Sequence, residues 1–221
     1  MKLTVFNGSP RGKDSNTRVI LDNFLKGFMA TGSNTYELAY LNRLKDRDNF
    51  IEMFTEAEKV LLAFPLYTDA MPAIVKTFIE SLEPLRGREG NPNLGFIVQG
   101  GFPEALHSRP LERYLGKLAK RLGCRYTGTV IKGGVEGIRS LPPWMTRRIF
   151  KSFYELGRSF SETGRFNEQI VLKLIKPEKL SRFRILFFNL LGKRLSQLMM
   201  WDRKLKENNA FEKRYDKPYA I

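Results

Sequence analysis

KLTVFNGSPRGKDSNTRVILDNF, Lys2 to Phe24, carries the reading of the fold. Its first part, LTVF (3–6), is short, apolar and rich in β-formers. It runs directly into NGSPRGKDSNT (7–17), a loop with two glycines, a proline, several hydroxyl and amide side chains and two cations, and a helix is expected from about Ser15. Strand, glycine loop and helix in that order make an anion site. Gly8 and Gly12 permit backbone angles at which successive N–H groups face one anion, and the helix adds the positive end of its dipole. Ser9, Ser15, Asn16 and Thr17 offer further donors, and Arg11 can pair with a phosphate.

Outward from this stretch the same alternation repeats. Apolar runs TYELAYL (35–41), KVLLAF (59–64), LGFIVQ (94–99) and YTGTVI (126–131) are separated by segments of helical period. Leu111, Leu115, Leu118 and Leu122 form one stripe and Ile149, Phe153, Leu156 and Phe160 another, while Ile74, Phe78 and Leu82 mark a helix over 71–82. Five strands alternating with helices predict an α/β domain with a doubly wound parallel sheet in a three-layer sandwich. The polar segment 42–55 is read as a short helix or mostly loop, and a helix is expected near Glu104. Domain 1–164 is expected to be followed by a basic, mainly helical extension over 165–221, with Pro177 near the start of one helix and Gly192 interrupting or ending it.

Composition narrows the chemistry. The 221 residues carry a net charge of +15, unevenly: Met1–Pro143 has 20 Lys/Arg against 15 Asp/Glu, and Trp144–Ile221 has 18 against 8, leaving +10 on the last third. Cys124 is the single cysteine, which excludes an intramolecular disulfide or a cysteine-ligated cluster from this chain alone, and it is expected to be a small buried residue. His107 is the single histidine, so no metal site is expected. The opening apolar run is too short for a signal peptide, and Phe183–Trp201 is broken by Arg184, Asn189, Lys193 and Arg194, so a cytoplasmic protein without a spanning helix is expected.

The loop at 7–17 fails the common nucleotide motifs. A Walker A loop aligned on Gly12-Lys13 would need Gly at Asn7 and Ser or Thr at Asp14. The dinucleotide pattern G-x-G-x-x-G is broken by Pro10, and a cysteine phosphatase loop would need its thiolate in the loop, more than a hundred positions from Cys124. A loop that holds a phosphate without cleaving it remains.

Gly8-Ser9-Pro10-Arg11 followed by Ser15-Asn16-Thr17 resembles the FMN-phosphate loop of the flavodoxin-like NAD(P)H-dependent FMN reductases and quinone reductases. The resemblance continues after the third strand, where Pro65-Leu66-Tyr67 and then Met71-Pro72 look like the loop that family places against the isoalloxazine ring. Prolines stiffen such a loop and an aromatic side chain can lie against a flat ring. After the fourth strand, Gln99-Gly100-Gly101-Phe102 matches the loop bordering the flavin. The resemblance implies a flavodoxin-like fold, a flavoprotein with FMN as cofactor and NAD(P)H as co-substrate, and an oxidoreductase that passes electrons to a small-molecule acceptor such as a quinone, flavin or nitro compound. A flavin-binding electron carrier without its own NAD(P)H oxidase activity is the alternative. The resemblance also implies a homodimer, and this chain lacks the cysteine cluster of the family's iron–sulfur members. No catalytic side chain is assigned, because the cofactor does the chemistry and the protein positions it; His107 is read as a surface or capping residue.

The motif-bearing resemblance ends near Gly134. Beyond Gly164, cations are mixed with Phe183, Ile185, Leu186, Phe187, Phe188, Leu190, Leu191 and the cluster LMMW (198–201). The first expectation is that this apolar surface packs on the sheet domain or a second subunit. Peripheral contact with an anionic membrane comes second, and nucleic acid is the least favoured partner because no recognised motif accompanies the charge.

Overall fold

Each expected apolar run is a strand in the computed structural model, which describes residues 1–192 and 201–217. They are β1 (Lys2–Asn7), β2 (Thr35–Tyr40), β3 (Lys59–Pro65), β4 (Asn93–Gln99) and β5 (Arg125–Lys132). All neighbours pair in parallel in the order β2-β1-β3-β4-β5, the flavodoxin-like form of the doubly wound sheet. Parallel strands need crossovers that cover both sheet faces, which is why the inner runs are apolar at every position rather than alternating.

Helices α1 (Asn16–Phe28) and α5 (Pro143–Thr163) cover one face. There Leu3, Val5, Leu61, Ala63, Ile97 and Val130 meet Ile20, Phe24, Phe153, Leu156 and Phe160. Helices α2 (Arg47–Glu56), α3 (Ala73–Ser81) and α4 (Arg109–Leu122) cover the other, where Phe6 lies 4.7 Å from the ring of Phe78 and 6.2 Å from that of Phe50. Fully burying one such ring stabilises the fold by roughly 1.5–3 kcal/mol. On the first face two glycines let the backbones close up. A Cβ on Gly27 would lie 1.9 Å from the carbonyl oxygen of Tyr154, and a Cβ on Gly157 1.9 Å from that of Phe24.

The helical stripes are buried as their spacing predicts, with Leu118 and Ile149 only partly so. Segment 42–55 resolves into a 3-10 turn (Leu44–Asp46) and α2, of which only Phe50 and Phe54 are buried. The helix expected near Glu104 begins later: a 3-10 turn, Ala105–Ser108, precedes α4, whose first turn contains Pro110. Helix α3 starts after Pro72 rather than at Met71. Cys124 is buried, and burial pushes its thiol up to about 11.

The first compact unit runs from Met1 to Lys179. It includes α6 (Glu168–Ile175), whose Leu174 and Ile175 are buried against the sheet layers. Pro177 follows the end of α6 and precedes no helix directly; α7 (Arg182–Phe187) starts five residues later. Arg109 ties this connection to α4, with Nε donating to Glu178 Oε1 at 2.9 Å and Nη2 to Oε2 at 2.5 Å.

The second unit, Leu180–Ile221, contains α7, a π-helical turn over Phe188–Gly192 that ends at the expected glycine, and α8 (Asp202–Glu207). No strand occurs in it among the described residues. Its cations stack on its aromatics: Arg214 lies 3.9 Å from the Phe211 ring centroid and Lys204 6.0 Å from that of Trp201. Of the expected cluster LMMW, residues 198–200 lie outside the described residues and Trp201 is exposed.

Candidate functional site

In the doubly wound order the chain turns to opposite faces after β1 and β3, which are adjacent, and the crevice opens at their carboxyl ends. Register brings the relevant ends level: Asn7 pairs with Tyr40, Pro65 with Gln99, and Gln99 with Lys132. Four loops meet there.

Asn7 shapes the first loop. It is fully buried; its Oδ1 accepts from the N–H of Ser9 at 2.9 Å, and its Nδ2 donates to the Gly12 carbonyl oxygen at 3.2 Å and to Ser15 Oγ at 3.3 Å. Gly12 turns the chain at φ +53°, where a Cβ would also meet the Asn42 amide at 2.5 Å. Ser15 is the N-cap of α1: its hydroxyl donates to the Gly12 carbonyl oxygen at 2.6 Å and accepts from the N–H of Arg18 at 3.0 Å. The side chains of Asn16 and Thr17 are also engaged within the protein. Asn16 Nδ2 donates to the carbonyl oxygens of Val135 (3.0 Å) and Glu136 (3.2 Å), and Thr17 Oγ1 accepts from Gln99 Nε2 at 3.3 Å. What Asn16 and Thr17 present outward is backbone: the first N–H groups of a helix have no acceptor within it. Arg11 is exposed beside them, and Ser9 is 2% exposed.

The second loop leaves β3 at Pro65, and the N–H of Leu66 bonds to the Gln99 carbonyl oxygen at 2.7 Å. Tyr67 and Ala70 then exchange two backbone bonds, 2.9 and 3.2 Å, around a tight turn. At its tip Thr68 has φ +50°, a conformation that β-branched residues avoid, and strain of this kind collects where a loop has work to do. The turn holds Tyr67 47% exposed. Met71 packs against the core instead, and Pro72 is the buried N-cap of α3.

The third and fourth loops lean on each other. The N–H of Gly100 donates to the Lys132 carbonyl oxygen (3.0 Å), that of Val135 to Gly100 (3.1 Å) and that of Gly134 to Phe102 (3.0 Å). Gly133 allows this approach, since its Cβ would lie 2.4 Å from the Phe102 carbonyl oxygen. Phe102 itself turns outward, 68% exposed, with its ring 5.0 Å from that of His107, whose Nε2 lies 3.3 Å from Glu104 Oε2.

One cleft of about 120 Å³ results, lined by Ser9, Arg11, Asn16, Pro65, Leu66, Tyr67, Gln99, Gly100, Gly101 and Glu136. Nine of the residues expected from sequence therefore share one surface. Ser15 and Thr17 lie beneath it, Met71 and Pro72 anchor its second loop, and Phe102 stands outside its lining. Glu136 is the residue that sequence reasoning missed. Its signal was the pair Gly133-Gly134 directly after β5, the same feature that marked Gly100-Gly101 after β4. Arg11 and Glu136 are the charged side chains of the lining, one at the anion end and one near Gly101, where Glu136 Oε2 lies 3.9 Å from the position of a Cβ.

A larger groove, about 1220 Å³, lies on the outer α1/α5 face and is lined by helix side chains such as Val19, Phe150 and Trp144. It includes none of the strand-end residues. Among the described residues no group of His, Cys, Asp or Glu is placed to hold a metal ion, and no helix is long and apolar enough to cross a membrane.

Residues 1–83 match a family model described as the flavodoxin-like fold. Among solved structures, an NAD(P)H:quinone oxidoreductase from Methanothermobacter marburgensis is similar with a TM-score of 0.58 and 16% identity, over 75% of this chain and 99% of that one. An azoreductase from Bacillus anthracis str. Sterne gives 0.54 and 16%, over 73% and 98%. An NADH:FMN oxidoreductase in its apo form gives 0.53 and 14%, over 78% and 89%. No curated protein sequence matches the chain. At these identities the likeness is one of fold.

Proposed function

We propose that this chain is an FMN-dependent NAD(P)H oxidoreductase that passes electrons to a quinone, a flavin, a nitro compound or a similar acceptor. One observation carries the reading: a single cleft at the carboxyl ends of β1, β3, β4 and β5 joins an anion-binding end to a wall suited to a flat ring. The redox enzymes among the similar folds support it.

The donor set fits a phosphate ester carrying an aromatic ring system. The N–H groups at the start of α1, the Ser9 hydroxyl and the Arg11 guanidinium would hold the phosphate. Pro65, Leu66 and Tyr67 would bound the ring, with the backbone of Gln99, Gly100 and Gly101 offering polar groups to its edge. When bound, FMN supplies hydride acceptance from the nicotinamide and electron delivery to the acceptor. The protein's share is orientation. Asn7 fixes the phosphate loop, the Tyr67–Ala70 turn fixes the ring wall, and the Gln99–Thr17 and Asn16–Glu136 bonds hold the two ends at one spacing. A homodimer and a cytoplasmic location accompany the proposal.

The test is the absorption spectrum of the purified protein, reconstituted with FMN and then mixed anaerobically with NADH or NADPH. Flavin bands that bleach with nicotinamide support the proposal. A protein that binds FMN and does not bleach is an electron carrier instead, and one that stays colourless on titration with FMN is neither.

A further inference from the structure

From Lys179 to Trp201 the chain has five cations, Lys179, Arg182, Arg184, Lys193 and Arg194, and no Asp or Glu; Glu178 and Asp202 are the nearest acids. The same stretch is dense in large apolar residues, and those described are not covered: Phe183 is 77% exposed, Leu190 67%, Leu186 55% and Trp201 54%. Exposure of that kind concentrated in one segment marks an interaction surface.

We infer that this segment is a docking surface for the headgroup region of an anionic lipid bilayer. Charge decides among occupants. A second copy of the segment would bring five cations against five. Nucleic acid would neutralise the cations and leave Ile185, Leu186 and Leu190 facing water. An anionic bilayer surface satisfies both sets at once: phosphate and carboxylate groups pair with Lys and Arg while apolar side chains enter the acyl boundary. Trp201 is placed for the interface, an exposed indole with the Lys204 ammonium 6.0 Å from its ring centroid. No described helix spans a membrane, so the contact lies on the surface and is reversible.

The chain has two tryptophans, Trp144 and Trp201, so Trp144→Phe in the full-length protein makes Trp201 the sole reporter. Added to vesicles of phosphatidylcholine with phosphatidylglycerol, the Trp201 emission shifts to the blue and is quenched by brominated acyl chains. Vesicles of phosphatidylcholine alone bind on the order of a hundredfold more weakly, and raising salt from low to about 0.5 M releases the protein. Reversing Arg182→Glu and Arg184→Glu abolishes the shift with an unchanged melting profile; the comparison of lipids and of salt needs no folded variant. An unchanged Trp201 spectrum with anionic vesicles, or equal binding to neutral ones, overturns the inference. So does a concentration-dependent shift without vesicles that accompanies a doubled mass, or a response to duplex DNA or RNA with none to vesicles. None of these readings involves flavin, so they stand apart from the oxidoreductase test.

Discussion

Asn16, the first residue of α1, donates from Nδ2 to the carbonyl oxygen of Glu136 at 3.2 Å. The bond pins the loop after β5 to the helix end that attracts anions, and so places a carboxylate in the cleft with Arg11. In the flavin reading, that carboxylate opposes negative charge on the reduced ring. Glu136→Gln is expected to stabilise the reduced form by about 1 kcal/mol, raising the two-electron midpoint potential by roughly 20 mV. Spectroelectrochemical titration of the two proteins measures this; equal potentials would show that the carboxylate does not sense the ring.

Arg11 is exposed, so the fold does not depend on it. A hydrogen bond to a charged group is worth roughly 1.5–3 kcal/mol, and Arg11→Ala is expected to weaken FMN binding about tenfold to a hundredfold. Riboflavin, which lacks the phosphate, is expected to bind both proteins alike. Fluorescence titration with the two flavins separates a phosphate contact from a general disturbance of the cleft.

Gly157→Ala puts a methyl group against the Phe24 carbonyl oxygen, a backbone atom that cannot swing aside. Overpacking of this kind costs about 3 kcal/mol, which corresponds to a fall in melting temperature of roughly 6–12 °C. Calorimetry checks it. A loss within about 0.5 kcal/mol, the range of ordinary surface changes, would mean that α1 and α5 move apart without penalty.

The Arg109 guanidinium, bonded to both Glu178 oxygens, holds that carboxyl below the value of 4.5 it has when unfolded. A carboxylate with a lowered folded pKa contributes stability above its unfolded pKa and loses it as pH falls through the folded one. Parent and Glu178→Gln are therefore expected to differ in urea midpoint at pH 7 and to converge below pH 4.5. Exchange of the Leu106 N–H, which donates to the Glu178 carbonyl oxygen at 3.2 Å, is expected to quicken over the same interval.

Strands and sheet order were legible because each buried strand is a short apolar run closed by glycine, proline or polar residues. Segment 47–56 was harder to read, since α2 buries just Phe50 and Phe54 and its other positions are mostly charged or polar. The cleft was legible at β1, β3 and β4, where proline and glycine flank the strand ends. It was less so in the division of labour within the first loop. Residue types in 7–17 show who could bond to a phosphate, whereas the Ser15 cap and the Thr17–Gln99 bond depend on partners that only the folded chain supplies. Glu136 was hidden for the same reason, being recruited by a loop-to-loop contact across about 120 positions of sequence.

Asn7, the residue that broke the nucleotide-hydrolase motif, turns out to hold the loop from below through three hydrogen bonds. A loop braced from within the core keeps its outward N–H groups aimed before any anion arrives. The entropy of ordering it is lost when the chain folds and not when a ligand binds, so capture at this site proceeds at a rate set by encounter, without waiting for a closing motion.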